Sequence, residues 1–275
     1  MKFEPEDLKQ MVRSKYNQIA MQSKKQNETS CCGGTDCCGD ADYTIFSDDY
    51  SKMQGYNKDA DLGLGCGLPT EFAEIKEGDT VIDLGSGAGN DCFVARSIVG
   101  EKGMVWGIDF AGAMLTKARQ NAKKLGFENV AFLKGDIEDM PFEDNRVDVV
   151  ISNCVLNLVP DKEKAFSEIF RVLKNTGHFC VSDVVIEGEL PQGIREAAEM
   201  YAGCVSGALQ KRDYLNEIRK AGFGSVEIKK EKQIVIPDDI MLKYLSEKEL
   251  ETFSKNKTGI FSITVVGKKN KVNTS

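Results

Sequence analysis

Nine cysteines and a single histidine, His178, make up the thiol and imidazole complement of this chain. Four of the cysteines crowd one run, Cys31-Cys32-Gly-Gly-Thr-Asp-Cys37-Cys38. Three more, Cys66, Cys154 and Cys204, fall in segments that read as loops around a cofactor-binding fold. Such usage points to a soft, thiol-seeking ligand. One histidine excludes a His-rich zinc site but leaves an all-cysteine one open.

A second constellation carries carboxylates and glycines. Asp83-Leu-Gly85-Ser86-Gly87-Ala-Gly89-Asn-Asp91 reads as strand, glycine turn and helix start. Glycines let backbone approach a ligand, and a helix start offers free N–H groups. A dinucleotide fingerprint is spaced G-x-G-x-x-G, whereas here the third glycine comes one place early. With Asp83 before the turn, a smaller ligand with a cationic amino-acid portion fits better than a pyrophosphate. Asp109 ends the next strand, where an acidic side chain meets ribose hydroxyls. Asp136 and Ile137 follow the third strand, placed to bracket an adenine ring, and Asn153 ends the fourth. Ligands of open α/β sheets bind outside the carboxyl ends of the strands. A Rossmann-like fold binding another nucleotide is the alternative.

The elements that must hold these residues are legible in the hydrophobic pattern. TVIDLG, MVWGIDF, VAFLKGD, VDVVISN and HFCVSDVV read as five strands alternating with helices, which predicts a parallel α/β sheet. VDVVISN is the continuous apolar run of a strand buried on both faces. One helix starts after the turn and closes at Gly100, one spans Ala113 to Leu125, and one runs from an Asp161 cap to Lys174. Residues 5–21 carry helical spacing through Leu8, Val12, Tyr16 and Ile19. The alternation stops near 186. Residues 191–221 and 240–254 read as mainly helical, 226–236 and 261–266 as extended. The expected organisation is an N-terminal helix and Cys-rich segment (1–62), a core (63–186) and a C-terminal lid or α+β appendage (187–275).

Bulk composition is that of a globular protein, 41% apolar and 29% charged. A net charge of −7 argues against a general nucleic-acid binder. No run of about 18 apolar residues predicts a membrane span, and the charged N-terminus has no signal-peptide core. The expectation is a cytoplasmic monomer whose cysteines are thiols, ligands or transient redox partners. Cys92 and Cys180 read as packed core, and His178 as a surface or edge residue.

Four segments, LGLGCGLP, DLGSGAGNDCFVARSIVG, SNCVLNLVPDKEKA and MYAGCVSGAL, resemble those of arsenite S-adenosylmethionine methyltransferases, a branch of the seven-stranded methyltransferases with Rossmann-like sheets. The resemblance runs from about Tyr43 to Gly222, and SNCVLNLVPDK is its most specific part. It implies S-adenosylmethionine in the glycine-turn site and trivalent arsenic on Cys154 and Cys204, with Cys66 as third ligand. Arsenite and methylarsenicals would be the substrates. It also implies a redox pair between Cys66 and an N-terminal cysteine, either Cys38 or Cys37, reset by a thiol reductant such as thioredoxin or glutathione. Cys31, Cys32 and the remaining neighbour are either arsenic carriers or a tail for soft metals. Two other functions fit the residues: methyl transfer to a small organic acceptor with structural cysteines, and metalloid sensing without catalysis.

Overall fold

A computed structural model describes residues 4–22, 48–189, 207–234, 242, 245–255 and 259–269. Cys31, Cys32, Cys37, Cys38 and Cys204 lie outside the described residues, as do 191–206 of the expected helical stretch.

The expected strands form one sheet. β1 (Thr80–Leu84), β2 (Met104–Asp109), β3 (Val130–Lys134), β4 (Val147–Asn153) and β5 (Leu173–Glu187) run parallel. β7 (Gly259–Lys268) pairs antiparallel with β5, and β6 (Ser225–Ile234) pairs antiparallel with β7, giving the order β3-β2-β1-β4-β5-β7-β6. Past the break in alternation near residue 186 the C-terminal strands extend the same sheet, with β7 running against its two neighbours.

Both sheet faces are covered, which is why the strands are apolar at successive positions. In β1, Val81 faces one core and Ile82 the other. The first core is closed by α3 (Asn90–Val99) and α4 (Gly112–Leu125) through Phe93 and Met114. The second is closed by α5 (Lys162–Val172) and α6 (Lys211–Lys220) through Phe166, Ile169, Tyr214 and Ile218. The Asp161 side chain caps α5 by accepting from the Lys164 amide at 2.9 Å. The helix ends at Val172, two residues short of the expected Lys174, because Leu173 already begins β5.

The N-terminal helix α1 (Pro5–Ile19) has a definite berth. Asn17 accepts from the Ala113 amide at the start of α4, and Lys117 Nζ donates to the Ala20 and Gln22 carbonyls. A short helix, α2 (Pro69–Phe72), leads into β1, and α7 (Glu247–Lys255) precedes β7. No helix among the described residues is long and apolar enough to cross a membrane.

His178 lies within β5, between β4 and β7, and its Nε2 meets the Ala73 carbonyl at 2.5 Å. It is thus a half-buried residue of an interior strand, not the surface or edge residue its position suggested. Cys180 is fully buried in the first core, as expected.

Candidate functional site: an acid-lined cavity beside a thiol pair

The carboxyl ends of β1, β2 and β4 open into one cavity, lined by Asp83, Gly85, Ser86, Gly87, Asp109, Asn153 and Cys154 among others. Gly85, Gly87 and Gly89 have φ of +65°, +51° and +98°, a left-handed run that only glycine enters without strain. The tight turn brings the Gly87 amide to Asp109 Oδ2 at 2.9 Å. Asp109 Oδ1 accepts from the Ala111 amide at 2.7 Å, so this side chain also organises the start of α4.

A second cavity shares Gly85, Asp109, Phe110, Val155 and Leu158 with the first and reaches Asp136 and Ile137. The sequence-predicted cofactor residues Asp83, Gly85, Ser86, Gly87, Asp109, Asp136, Ile137 and Asn153 thus line two adjoining cavities. Gly89 serves the same loop as the N-cap of α3. The sequence pattern did not assign α1 to this site. Lys9 and Val12 line the second cavity and Tyr16 the first. Lys9 Nζ bonds Asp136 at 2.7 Å and also Glu138, fastening the helix over the opening.

The main cavity is acidic. Asp61, Asp83, Asp91 and Asp109 line it, and no Lys or Arg does among the described residues. Burial pushes Asp91 and Asp109 up to about 6. Asp83 is raised well above the usual carboxylate range by burial and by the neighbouring Asp91 charge. Such a wall is costly until a cation enters it. Tyr50, also missed from sequence, donates to both Asp91 oxygens at 2.9 Å. Its own hydroxyl is held far above its ordinary value by burial and Asp91. Ser86 Oγ is buried with no hydrogen-bond partner, a donor aimed at nothing in the protein.

The thiols adjoin this wall. The loop Gly65-Cys66-Gly67 lies against Asn153, whose Oδ1 accepts from the Cys66 amide at 2.9 Å. Asn153 Nδ2 donates to the Gly67 carbonyl at 2.8 Å and reaches Tyr50 and Asp91 as well. Ser262 of β7 donates to the Cys66 carbonyl, so both sides of that residue are pinned. Cys154 takes φ +59°, a left-handed conformation that costs a non-glycine residue roughly 1 kcal/mol or more. Its amide donates to the Ser182 carbonyl at 2.7 Å. Cys66 Sγ, Cys154 Sγ and an Asp183 carboxylate oxygen all lie within 4.8 Å of one another, all buried. Val12, Leu158, Val184, Ile234 and Ile260 pack around the pair. Asp183 is pushed up to about 7 by burial, tempered by Lys162, the Tyr214 hydroxyl and two backbone amides. Its position near the carboxyl end of a strand was the available signal, and the thiols obscured it.

Cys92 is buried against this wall and donates its thiol to Asp83 Oδ2 at 3.2 Å. Burial and that carboxylate raise its pKa well above the ordinary thiol value, so the helix start does not activate it.

Residues 75–222 match the methyltransferase domain family, and the strand order, glycine turn and acid-lined cavity agree with that class. Within that class the chain belongs to the arsenite methyltransferase family. It is 36% identical to an arsenic(III) S-adenosylmethionine methyltransferase from Chlamydomonas reinhardtii, with a TM-score of 0.64, covering 76% of this chain and 68% of that one. An arsenite methyltransferase from Halobacterium salinarum is 40% identical over 82% of this chain and 59% of its own length. The Homo sapiens arsenite methyltransferase is 40% identical over 58% of this chain and 44% of its own. The chain thus spans about half the length of such curated relatives. A Bacillus protein of 21% identity and TM-score 0.60 shares the fold.

Proposed function

We propose that the chain is an arsenite methyltransferase that moves a methyl group from S-adenosylmethionine to thiol-bound trivalent arsenic. The observation that carries this reading is the Cys66–Cys154 pair, buried within 4.8 Å beside an acid-lined cavity at the strand ends. Relatives named for this activity support it.

The cavity fits the cofactor. Four carboxylates, with no lining Lys or Arg among the described residues, suit a ligand bearing an ammonium and a sulfonium, and would repel a pyrophosphate. The orphaned Ser86 hydroxyl can donate to a carboxylate or a hydroxyl. Asp83, Asp91 and Asn153 would hold the amino-acid end, Asp109 the ribose, and Asp136 and Ile137 the adenine. Lys9, Val12 and Tyr16 of α1 would cover the bound molecule. When bound, S-adenosylmethionine supplies an electrophilic methyl carbon on a positively charged sulfur.

The thiols prepare the acceptor. As each of Cys66, Cys154 and Cys204 binds, an As–O bond breaks and an As–S bond forms. The thiol proton leaves with the arsenic oxygen as water. Three thiolates leave arsenic pyramidal, with a free lone pair. Toward the methyl carbon that S-adenosylmethionine would supply, that lone pair would be the nucleophile, the As–C bond forming as the sulfonium leaves as a thioether, and methylation would leave arsenic two electrons more oxidised. Cys66 and Cys38 (or Cys37) would return those two electrons by closing a disulfide, which an external thiol reductant such as thioredoxin or glutathione reopens. The protein's share of catalysis is placement in a dry pocket. The apolar nest around the thiols serves that end.

The test measures methylarsenic formed from arsenite, S-adenosylmethionine and a thiol reductant. Wild type should turn over, and Cys154→Ser and Cys204→Ser should each lose nearly all activity. Full activity in both variants would refute the reading.

A further inference from the structure

We infer that Cys66, Cys154 and Asp183 form a binding site for a divalent, borderline-soft metal ion of the Zn²⁺ or Cd²⁺ class, with a ligand set distinct from an arsenic trithiolate. The three ligand atoms lie within 4.8 Å of one another and are buried. A tetrahedral ion with metal–sulfur bonds of about 2.3 Å sets its sulfurs about 3.8 Å apart, so closure needs side-chain shifts of about 1 Å at most.

The site is built for coordination. Cys66 is held at its amide by Asn153 and at its carbonyl by Ser262. Cys154 is aimed by its left-handed backbone. Asp183 Oδ2 accepts from Tyr214 Oη at 3.1 Å and Oδ1 from the Val184 amide at 3.2 Å. Outer hydrogen bonds of this kind fix the orientation of a ligating carboxylate, and with the Tyr214 hydroxyl and two backbone amides bound, one of its four lone-pair sites is left for an ion. Cys154 also lines the main cavity, which leaves a fourth position for water.

Hardness separates the two ligand sets. Trivalent arsenic favours a third sulfur, whereas Zn²⁺ and Cd²⁺ accept mixed sulfur and oxygen donors. The ion displaces two thiol protons to solvent, and two thiolates with one carboxylate leave the complex at net −1. Such an ion would block arsenic from Cys66 and Cys154. The inference shares those thiols with the proposed function but does not depend on methyl transfer.

The experiment uses Cd²⁺ alone, without arsenic or cofactor, on the full chain with Cys31, Cys32, Cys37 and Cys38 changed to serine. X-ray absorption at the cadmium edge should count two sulfurs plus oxygen. Titration followed by sulfur-to-metal charge transfer should show one ion per chain. Cys204→Ser should leave the affinity unchanged, and Asp183→Asn should lower it about tenfold or more. Three sulfurs around the ion, loss of binding in Cys204→Ser, or undiminished binding in Asp183→Asn would overturn the inference. Should Asp183→Asn fail to fold, the sulfur count decides without it. A protein that binds Cd²⁺ in this way yet never methylates arsenite would refute only the proposed function.

Discussion

Gly65→Ala adds a single methyl group beside the thiol loop. The new Cβ would sit 2.5 Å from Asn153 Nδ2 and 3.0 Å from its Cγ, where ordinary contact begins at 3.4 Å. The gap to Nδ2 must open by about 0.9 Å, from 2.5 to 3.4 Å. Asn153 is a short side chain tied to Gly67, Tyr50, Asp91 and the Cys66 amide, so it cannot simply rotate away. Lengthening the 2.9 Å bond from Cys66 by that amount takes it to about 3.8 Å, beyond hydrogen bonding. Overpacking and the lost bond each cost roughly 1–3 kcal/mol, so a loss of about 2–4 kcal/mol is expected. That corresponds to a fall in Tm of roughly 5–15 °C. Cys66 would move with its amide, and a displacement near 1 Å in a reacting site can cost about a hundredfold. Arsenite affinity should therefore fall at least tenfold. The control is Gly112→Ala, where nothing lies within 4 Å of the new Cβ at the start of α4. It should be neutral or stabilising by up to about 1 kcal/mol. Thermal melts and arsenite titrations of both variants make the comparison. A Gly65→Ala protein that melts and binds arsenite like Gly112→Ala would refute the packing argument.

The raised carboxyls make a pH test. Asp91 and Asp109 stand at about 6 against an ordinary 3.8. The folded state holds their protons longer than the unfolded chain, so stability is present at low pH and is lost as pH rises from about 4 through 6. For one such group that amounts to about 3 kcal/mol. A cationic ligand reverses the penalty. S-adenosylmethionine affinity should rise steeply between pH 5 and 7 in calorimetry, and S-adenosylhomocysteine, lacking the sulfonium, should rise less. A flat profile for both would count against the acid wall as the recognition element. Lys9→Met removes the bonds to the half-exposed Asp136 and the buried Glu138, so stability should fall by about 1–3 kcal/mol, chiefly from leaving Glu138 without its lysine partner. Cofactor release, followed by stopped-flow, should quicken; an unchanged rate would mean α1 does not retain the ligand. Cys180→Ala should cost about 1 kcal/mol in denaturant melts and leave arsenite binding intact, because this thiol is fully buried in the first core. Loss of arsenite binding in that variant would show that the thiol division is wrong.

The parallel half of the sheet was legible because strands buried on both faces leave continuous apolar runs, as β4 does in Val147–Asn153. The glycine turn was legible because its φ values leave little choice of residue. β6 was visible only as an extended stretch, since its mostly polar residues do not show which strand it will pair with. Joining it through β7 to β5 depends on contacts distant in sequence. Tyr50 and Asp183 escaped for the same reason. Neither sits in a motif with fixed spacing, and each gains meaning only from partners 41 and 31 residues away, Asp91 and Tyr214. The helical period of α1 gave its existence but not its berth, because Val12 and Tyr16 read equally well as packing against any apolar surface.

Asn153 and Cys154 are adjacent in sequence and both line the main cavity, yet their side chains have different partners. Asn153 faces the carboxylates and grips the loop that carries Cys66, while Cys154 joins the apolar nest. Arsenic on Cys66 and Cys154 would then be spaced from the acid wall by a single side chain. That side chain hydrogen-bonds both Asp91, on the cofactor side, and the Cys66 amide, on the acceptor side. A shift of Asn153 on ligand binding at one side must alter its bonds at the other. By linkage such coupling is reciprocal, so cofactor that orders Asn153 tightens arsenite binding by the same factor that arsenite tightens cofactor binding. In the proposed reaction the donor–acceptor spacing would rest on part-buried hydrogen bonds of 2.9 and 3.3 Å to one short side chain, where a long flexible one would leave it loose.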